Sequence, residues 1–337
     1  MNGSQQTPPP AVQMQHMLLG FEVSQALYVA AELGIATALL DGPRSVKELA
    51  RATETDEEAL ERLIRFLASQ GLFQRQDGKV KVTPLGQTLA EGPADSVRDL
   101  ARYFMETHYA PFANLLHTVR TGEIGATKYL GKPFFEWVNE SPRLAALQSS
   151  AFGGAGKALF GNLLDVYRLP EGEIVADIGG SDGGLMAELL ARHPGPRGIV
   201  FDMPNVVARA TENLAAAGLT ERTTVVGGDF FASVPKADIY VMSFILHDWS
   251  NADSLRILRN IARVAAPGAR LVLLEALMPE DDEPHYSKMM DLNMLAMLSG
   301  RERTETEWRQ LLADGGFTLD RVVSGSGLRS AIEATLS

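Results

Sequence analysis

The residues best suited to chemistry lie in the second half of the chain, each just behind a short apolar run. Asp177-Ile178-Gly179-Gly180-Ser181-Asp182-Gly183-Gly184 follows the run IVA and precedes LMAELLARH, which has helical spacing. Glycine permits a tight strand-to-helix turn and removes the side chain that would obstruct a cofactor's close approach. The loop is not the dinucleotide fingerprint, since Ser181 stands where its second glycine belongs, and it lacks the lysine and Ser/Thr of a phosphate-cradling loop. Asp202 closes the next run, 23 residues beyond Gly179, where a carboxylate can accept both hydrogen bonds of a ribose diol. Asp229, in GGDFF, can meet an adenine edge while Phe230 packs against the ring. His247 follows a fourth run in SFILHDW; imidazole, with a reference pKa of about 6.5, can take a hydroxyl proton near neutral pH. Alone, each acid reads as a cap or turn residue and the histidine as a structural one. Their collection behind successive runs points to a site.

The elements that must position these residues follow from the pattern after Pro170. IVADIGG, RGIVFDM, TTVVGG, ADIYVMSF and RLVLLEA have strand length, and helix-like stretches such as NADSLRILRNIARVA separate them. Repeated strand-helix alternation implies a mostly parallel sheet covered by helices, with ligands bound beyond the carboxyl ends of the strands. The tail FTLDRVVSGSGLRSAIEATL adds two strand-like pieces that can form an antiparallel edge.

The first half reads differently. Residues 1–11 are polar and proline-rich, as expected of a loose tail, and from Val12 to Leu40 apolar residues recur at helical spacing. SVKELARAT reads as a short helix, Thr55 can cap a second over TDEEALERLIRFLASQ, and Gly71 can stop it. The alternation in LFQRQDGKVKVTP around Asp77-Gly78 predicts a hairpin. Together these resemble a winged helix at about residues 43–90. A DNA-reading role is disfavoured, because Asp56, Glu57, Glu58 and Glu61 outnumber Arg62 and Arg65 on the helix that would enter the groove. Residues 96–168 read as mostly helical and rich in aromatics, a core that can also wall a planar ligand. The organisation expected is thus a tail (1–11), a helical and winged-helix-like domain (12–95), a helical linker and pocket region (96–168) and a cofactor-binding catalytic domain (169–337).

Composition agrees. A 45% hydrophobic and 22% charged chain fits a globular protein, and a net charge of −11 disfavours nucleic acid and anionic membrane as partners. There is no cysteine, hence neither disulfide nor thiolate chemistry. The start lacks a signal-peptide pattern, and no apolar stretch is long enough to span a bilayer. A cytoplasmic enzyme without a clustered metal motif is expected.

The segments DIGGSDGG, FDMPNV, GGDFF, ILHDWSNADSLRILRNI, LLEALMP and GRERTETEW, in this order and spacing, make the chain similar to the small-molecule O-methyltransferases. These are typified by plant caffeate and flavonoid methyltransferases, animal acetylserotonin methyltransferase and bacterial natural-product tailoring enzymes. The resemblance runs from about residue 15 to the C-terminus. It implies a Rossmann-like class I methyltransferase domain behind a winged-helix-like dimerisation domain, a homodimer, and S-adenosylmethionine as cofactor with S-adenosylhomocysteine as product.

By that resemblance Asp177, Gly179, Gly180, Ser181 and Gly183 form the cofactor loop, and Asp202 with Met203 holds the ribose. Gly228, Asp229 and Phe230 frame adenine. Asp248 positions the histidine loop or reaches the cofactor, and Trp249 covers adenine or packs in the core. Ser243 stands where many plant members carry a cofactor-contacting lysine, so that contact must differ. His247 becomes the general base, Glu275 the acid beside it that fixes its tautomer, and Glu302 a second framing acid. Met290, Asn293, Met294 and Met297 are implied acceptor-wall residues on one helix. Phe104, His108, Phe112 and Phe152 are candidates to complete the wall. The reaction implied is direct methyl transfer, without metal, to a hydroxyl of a small aromatic acceptor. The alternatives are N- or C-methylation or a non-methylating reaction on the same scaffold, and, in a different class, a winged-helix ligand-binding regulator.

Overall fold

The computed structural model describes residues 8–337, except for the side chains of 153–160. Most of the expected tail, residues 1–7, lies outside the described residues. The first helix nonetheless starts inside the predicted tail, at Pro10, because proline at the first helical position loses no hydrogen bond and brings a suitable φ. The chain forms two compact units: the residues up to Ala113 with Phe135–Gly156, and Asn114–Phe134 with Lys157–Ser337.

In the first unit the apolar stretch is interrupted rather than continuous. Helix α1 (Pro10–Leu18) breaks at Leu19, α2 (Gly20–Glu32) follows, and Gly34 with φ 65° precedes a single turn at Ile35–Ala38. Helix α3 (Val46–Ala52) starts in a capping box: the Glu48 N–H donates to Ser45 Oγ at 3.2 Å and the Ser45 N–H to Glu48 Oε2 at 2.7 Å. Helix α4 (Glu57–Ser69) is capped by Asp56, not by Thr55 as expected. The Ala59 N–H donates to Asp56 Oδ1 at 2.8 Å, while the Thr55 hydroxyl lies 3.0 Å from that of Thr53. Strands β1 (Phe73–Gln76) and β2 (Lys79–Val82) pair antiparallel as predicted, with Asp77 and Gly78 both at positive φ, the requirement of a tight hairpin turn. Ala30, Leu49, Ile64, Leu67 and Val80 form the core beneath them.

The second unit holds a seven-stranded sheet in the order β5-β4-β3-β6-β7-β9-β8. Its strands are β3 (Ile174–Ile178), β4 (Arg197–Asp202), β5 (Thr223–Gly227), β6 (Ile239–Ser243), β7 (Arg270–Ala276), β8 (Phe317–Ser324) and β9 (Arg329–Leu336). The first five run parallel, and β9 pairs antiparallel with β7 and with β8, giving the edge expected from the tail. The continuous apolar runs are explained by cover on both faces. Tyr240 and Met242 pack with Ile257, Leu258 and Trp308 on one side, while Ile239 and Val241 join Met186, Leu189 and Leu214 on the other. Sheet order reverses between β3 and β6, which opens a crevice at their carboxyl ends. Among the described residues no helix is long and apolar enough to cross a membrane.

Candidate active site

The glycine loop turns directly off β3. The N–H groups of Gly179 and Gly180 both donate to the Phe201 carbonyl, at 2.8 and 3.1 Å, and that of Gly183 to the Gly180 carbonyl at 2.9 Å. Gly179 has φ 79°, and a Cβ there would come within 2.4 Å of Ile245. The positive φ calls for glycine, and the Ile245 side chain of the histidine-bearing segment would have to shift for any larger residue. Ser181 holds φ 49° despite its side chain, a local strain that persists only where the surroundings enforce it.

Asp177 and Asp202 face this loop. Asp202 accepts the Ser181 N–H at 2.9 Å on one oxygen and the Met203 N–H at 2.7 Å on the other, which fixes the carboxylate and leaves lone pairs on both oxygens for a diol. Asp177 is buried, with Oδ2 lacking any partner. Burial first, then Asp202 and Asp182, pushes its pKa up to about 7. An orphaned buried oxygen next to a ribose-competent carboxylate fits S-adenosylmethionine, whose amino-acid ammonium is a donor of the missing kind.

Beyond β5 the Gly228 N–H donates to the Asp202 carbonyl at 2.9 Å, and Asp229 Oδ1 accepts the Phe231 N–H at 2.8 Å. Phe230, Phe231 and Trp249 meet edge-on, with Trp249 centred 5.9 Å from Phe230 and 4.7 Å from Phe231. Trp249 thus belongs to an aromatic cluster packed against the core of the second unit. Met203 is half exposed, and Ser243 ends β6 opposite Leu274.

The histidine loop leaves β6 through Phe244, at φ 51°, into a turn of 3-10 helix over Leu246–Asp248. The structure exchanges the expected positions of the two glutamates. Glu302, not Glu275, meets the ring: its Oε1 lies 2.7 Å from His247 Nδ1. Glu275, buried within β7, accepts the backbone N–H groups of Ile245 and Leu246 at 3.2 and 3.0 Å. It holds the loop that carries His247. Asp248 Oδ1 is 3.3 Å from Nε2, so a carboxylate faces each ring nitrogen. Burial alone would lower the His247 pKa, but Asp248, Glu302 and Glu275 outweigh it and raise the pKa above the ordinary value. Burial likewise pushes Asp248 and Glu275 upward.

Three further residues complete this arrangement and escaped sequence reasoning. Gly300 packs so closely that a Cβ would sit 1.8 Å from the His247 carbonyl oxygen. Asp291 accepts the Glu302 N–H at 2.9 Å from helix α5 (Tyr286–Met297). Arg303, fully buried, donates to the carbonyls of Leu246 and Trp249. Gly300 and Arg303 were legible only as parts of GRERT, and nothing about Asp291 sets it apart from other helix acids.

The expected acceptor wall falls into two groups, one in each unit. On α5, Met290 and Asn293 are half-buried, Met294 is nearly enclosed and Met297 is fully enclosed. Met297 offers an acceptor no surface and is a packing residue instead. In the first unit Tyr103, Phe104, His108 and Phe152 meet in edge-on contacts, and Phe112 is half-buried in the turn beyond. Burial pushes the His108 pKa down to about 3, so its ring is neutral. The Thr107 hydroxyl donates to the Tyr103 carbonyl and can only accept from His108 Nδ1, 2.6 Å away, which fixes the tautomer with the proton on Nδ1.

Comparison with known proteins gives this geometry its setting. Residues 112–318 match the O-methyltransferase domain and residues 15–92 the O-methyltransferase dimerisation domain. The phenazine O-methyltransferase PhzM of Lysobacter antibioticus is 38% identical, over 94% of each chain. The 3-amino-4-hydroxybenzoate 4-O-methyltransferase of Streptomyces cremeus is 35% identical, over 91% of this chain and 85% of that one. The crystal structure of LaPhzM superposes with a TM-score of 0.92 at 37% identity, covering 98% of this chain and all of that one. Both family models and full-length relatives above 30% identity agree, and the chain belongs to the S-adenosylmethionine-dependent O-methyltransferases.

Proposed function

We propose that the enzyme methylates a phenolic hydroxyl on a flat aromatic natural-product intermediate, with His247 as the general base. The observation that carries this reading is the 2.7 Å contact between His247 Nδ1 and Glu302. It fixes the ring so that Nε2 is the atom that takes a proton. S-adenosylmethionine supplies an electrophilic methyl on a sulfonium leaving group. With the cofactor held by Asp177, Ser181 and Asp202, His247 Nε2 would accept the proton that the acceptor hydroxyl gives up as it takes the methyl group. The imidazolium so formed lies between the carboxylates of Glu302 and Asp248, which stabilise it. Asp177, Ser181 and Asp202 bind and orient the cofactor, Phe230 and Trp249 flank its base, and Met290, Asn293 and Met294 contribute to the acceptor wall. The two relatives above take a phenazine and an aminohydroxybenzoate, and an acceptor with a phenol on such a ring suits this wall. A cytoplasmic site of action fits dependence on a cofactor made there.

The test is mass-resolved methyl transfer to phenazine, aminohydroxybenzoate and polycyclic phenols, with wild type and His247→Ala side by side. A product heavier by one methyl that needs His247 is expected. An undiminished rate in the variant would remove His247 as base, and cofactor binding with no methylated product from any phenol would turn the reading toward a non-methylating reaction.

A further inference from the structure

Arg303 has no surface on the crevice, yet it touches the chain segments on both sides of His247. It is 1% exposed. Its Nη1 donates to the Leu246 carbonyl at 3.0 Å and to that of Arg301 at 3.3 Å, and its Nη2 to the Trp249 carbonyl at 3.1 Å. Nε and Nη2 both reach Asn251 Oδ1, at 3.1 and 2.9 Å, and Nη2 also meets Ser254 Oγ at 3.4 Å. The guanidinium lies over the Trp308 ring, 4.9 Å from its centre. The main chain binds a third segment, for the Met278 N–H donates to the Arg303 carbonyl at 3.1 Å, just past Glu275 on β7. From the other side the Arg301 N–H donates to the His247 carbonyl at 2.8 Å.

We propose that Arg303 is a positioning residue for the reaction: its guanidinium gathers the carbonyls on both sides of His247 so that the imidazole meets the neighbouring Glu302. The inference rests on the reading of His247 as base. Only a planar fork of donors serves this geometry. A lysine keeps the charge but has a single nitrogen, which cannot reach Leu246, Trp249 and Asn251 together.

Arg303→Lys is therefore the informative variant, because the charge facing Asp248, Glu275 and Glu302 is unchanged while the loop loosens. The first readout needs no acceptor: nitrogen-15 histidine NMR titration of the full chain with S-adenosylhomocysteine bound. Proton binding by His247 should weaken about ten-fold, as the ring drifts from the carboxylates that favour its charged form. Affinity for S-adenosylhomocysteine should stay within about two-fold. With a phenol that wild type methylates, kcat should fall on the order of 100-fold, the scale set by small misplacements of a reacting group. Should Arg303→Lys not fold, Asn251→Ala and Asn251→Asp decide. The first removes two of the fork's bonds and should lower kcat several-fold, while the second keeps the acceptor and should restore it.

A folded Arg303→Lys with wild-type titration and rate overturns the proposal. So does a rate loss matched by an equal loss of S-adenosylhomocysteine affinity, and so does equal activity of the two Asn251 variants. If His247→Ala keeps full activity, the base reading fails instead; if it loses activity while Arg303→Lys does not, only this inference fails.

Discussion

The start of α4 and the crevice at the end of β6 both gather carboxylates, and they treat them in opposite ways. Asp56, Glu57 and Glu58 are exposed in the first turn of the helix, where Asp56 accepts a backbone N–H and all three favour the positive end of the helix dipole. Asp177, Glu275 and Glu302 are buried, and each leaves one oxygen without a partner. Buried carboxylates so arranged cost stability rather than supply it. The same residue type thus caps a helix in one unit and lies buried around a histidine or a glycine loop in the other. The discriminating feature is burial with incomplete satisfaction.

The comparison breaks most visibly at His247. His247→Ala should lower kcat by about 100-fold to 10,000-fold, the range of a lost general base, and leave cofactor affinity near wild type; steady-state rates with isothermal titration of S-adenosylhomocysteine check both halves. Glu302→Gln comes next, with kcat down by some tens of fold. Its pH profile is the sharper readout. Because the carboxylates raise the His247 pKa, the unprotonated ring needed for catalysis appears only as pH climbs through a value above the ordinary histidine range. Removing the charge of Glu302 favours the neutral ring, so the low-pH limb should move to lower pH and the deficit should shrink there. Glu275→Gln should act mainly on stability, since the amide oxygen still accepts from Ile245 and Leu246 while its NH2 replaces an oxygen that has no partner. A cost of about 1–3 kcal/mol, seen in denaturant midpoints with only a several-fold loss of kcat, would separate the two acids. Equal kinetic effects would give Glu275 the role at the ring that the resemblance implied.

What the sequence made legible follows the same division. Strands, hairpin, antiparallel edge and glycine loop depend on local pattern, so alternation and turn residues exposed them. Asp202 was found because it ends an apolar run, whereas Glu275 came from the family resemblance. The exchange of Glu302 for Glu275 was not legible, since both are glutamates in matching segments and the outcome depends on which chain segment folds back over the His247 loop. Gly300 and Asp291 were hidden for the same reason: their partners are 53 and 11 residues away. The Asp56 cap was missed by one position, because Thr55 and Asp56 are both good cap residues and only the turn geometry chooses. Met297 looked like a wall residue because helical spacing cannot tell a ligand-facing side from a packed one.

A smaller effect belongs to Asp202. Asp202→Asn keeps the size of the side chain but replaces one acceptor oxygen by an amide, so an N–H would face the backbone N–H of Ser181 or Met203. Weakening of cofactor binding by about ten-fold is expected, the worth of one hydrogen bond to a charged group, with kcat at saturating cofactor close to wild type. A fall in kcat at unchanged affinity would place Asp202 in the reacting geometry rather than in ribose binding.

The smallest effect lies at Ser45, and it tests the other half of the comparison. Its capping box with Glu48 is complete and solvent-facing, so Ser45→Ala should cost about 1 kcal/mol, measured as faster hydrogen exchange across α3. The crevice lies in the other compact unit, so kcat and cofactor affinity should not change. If activity falls along with that helix's protection, the exposed acids of the first unit contribute to catalysis through the dimerisation domain, and the separation of folding acids from chemical ones fails.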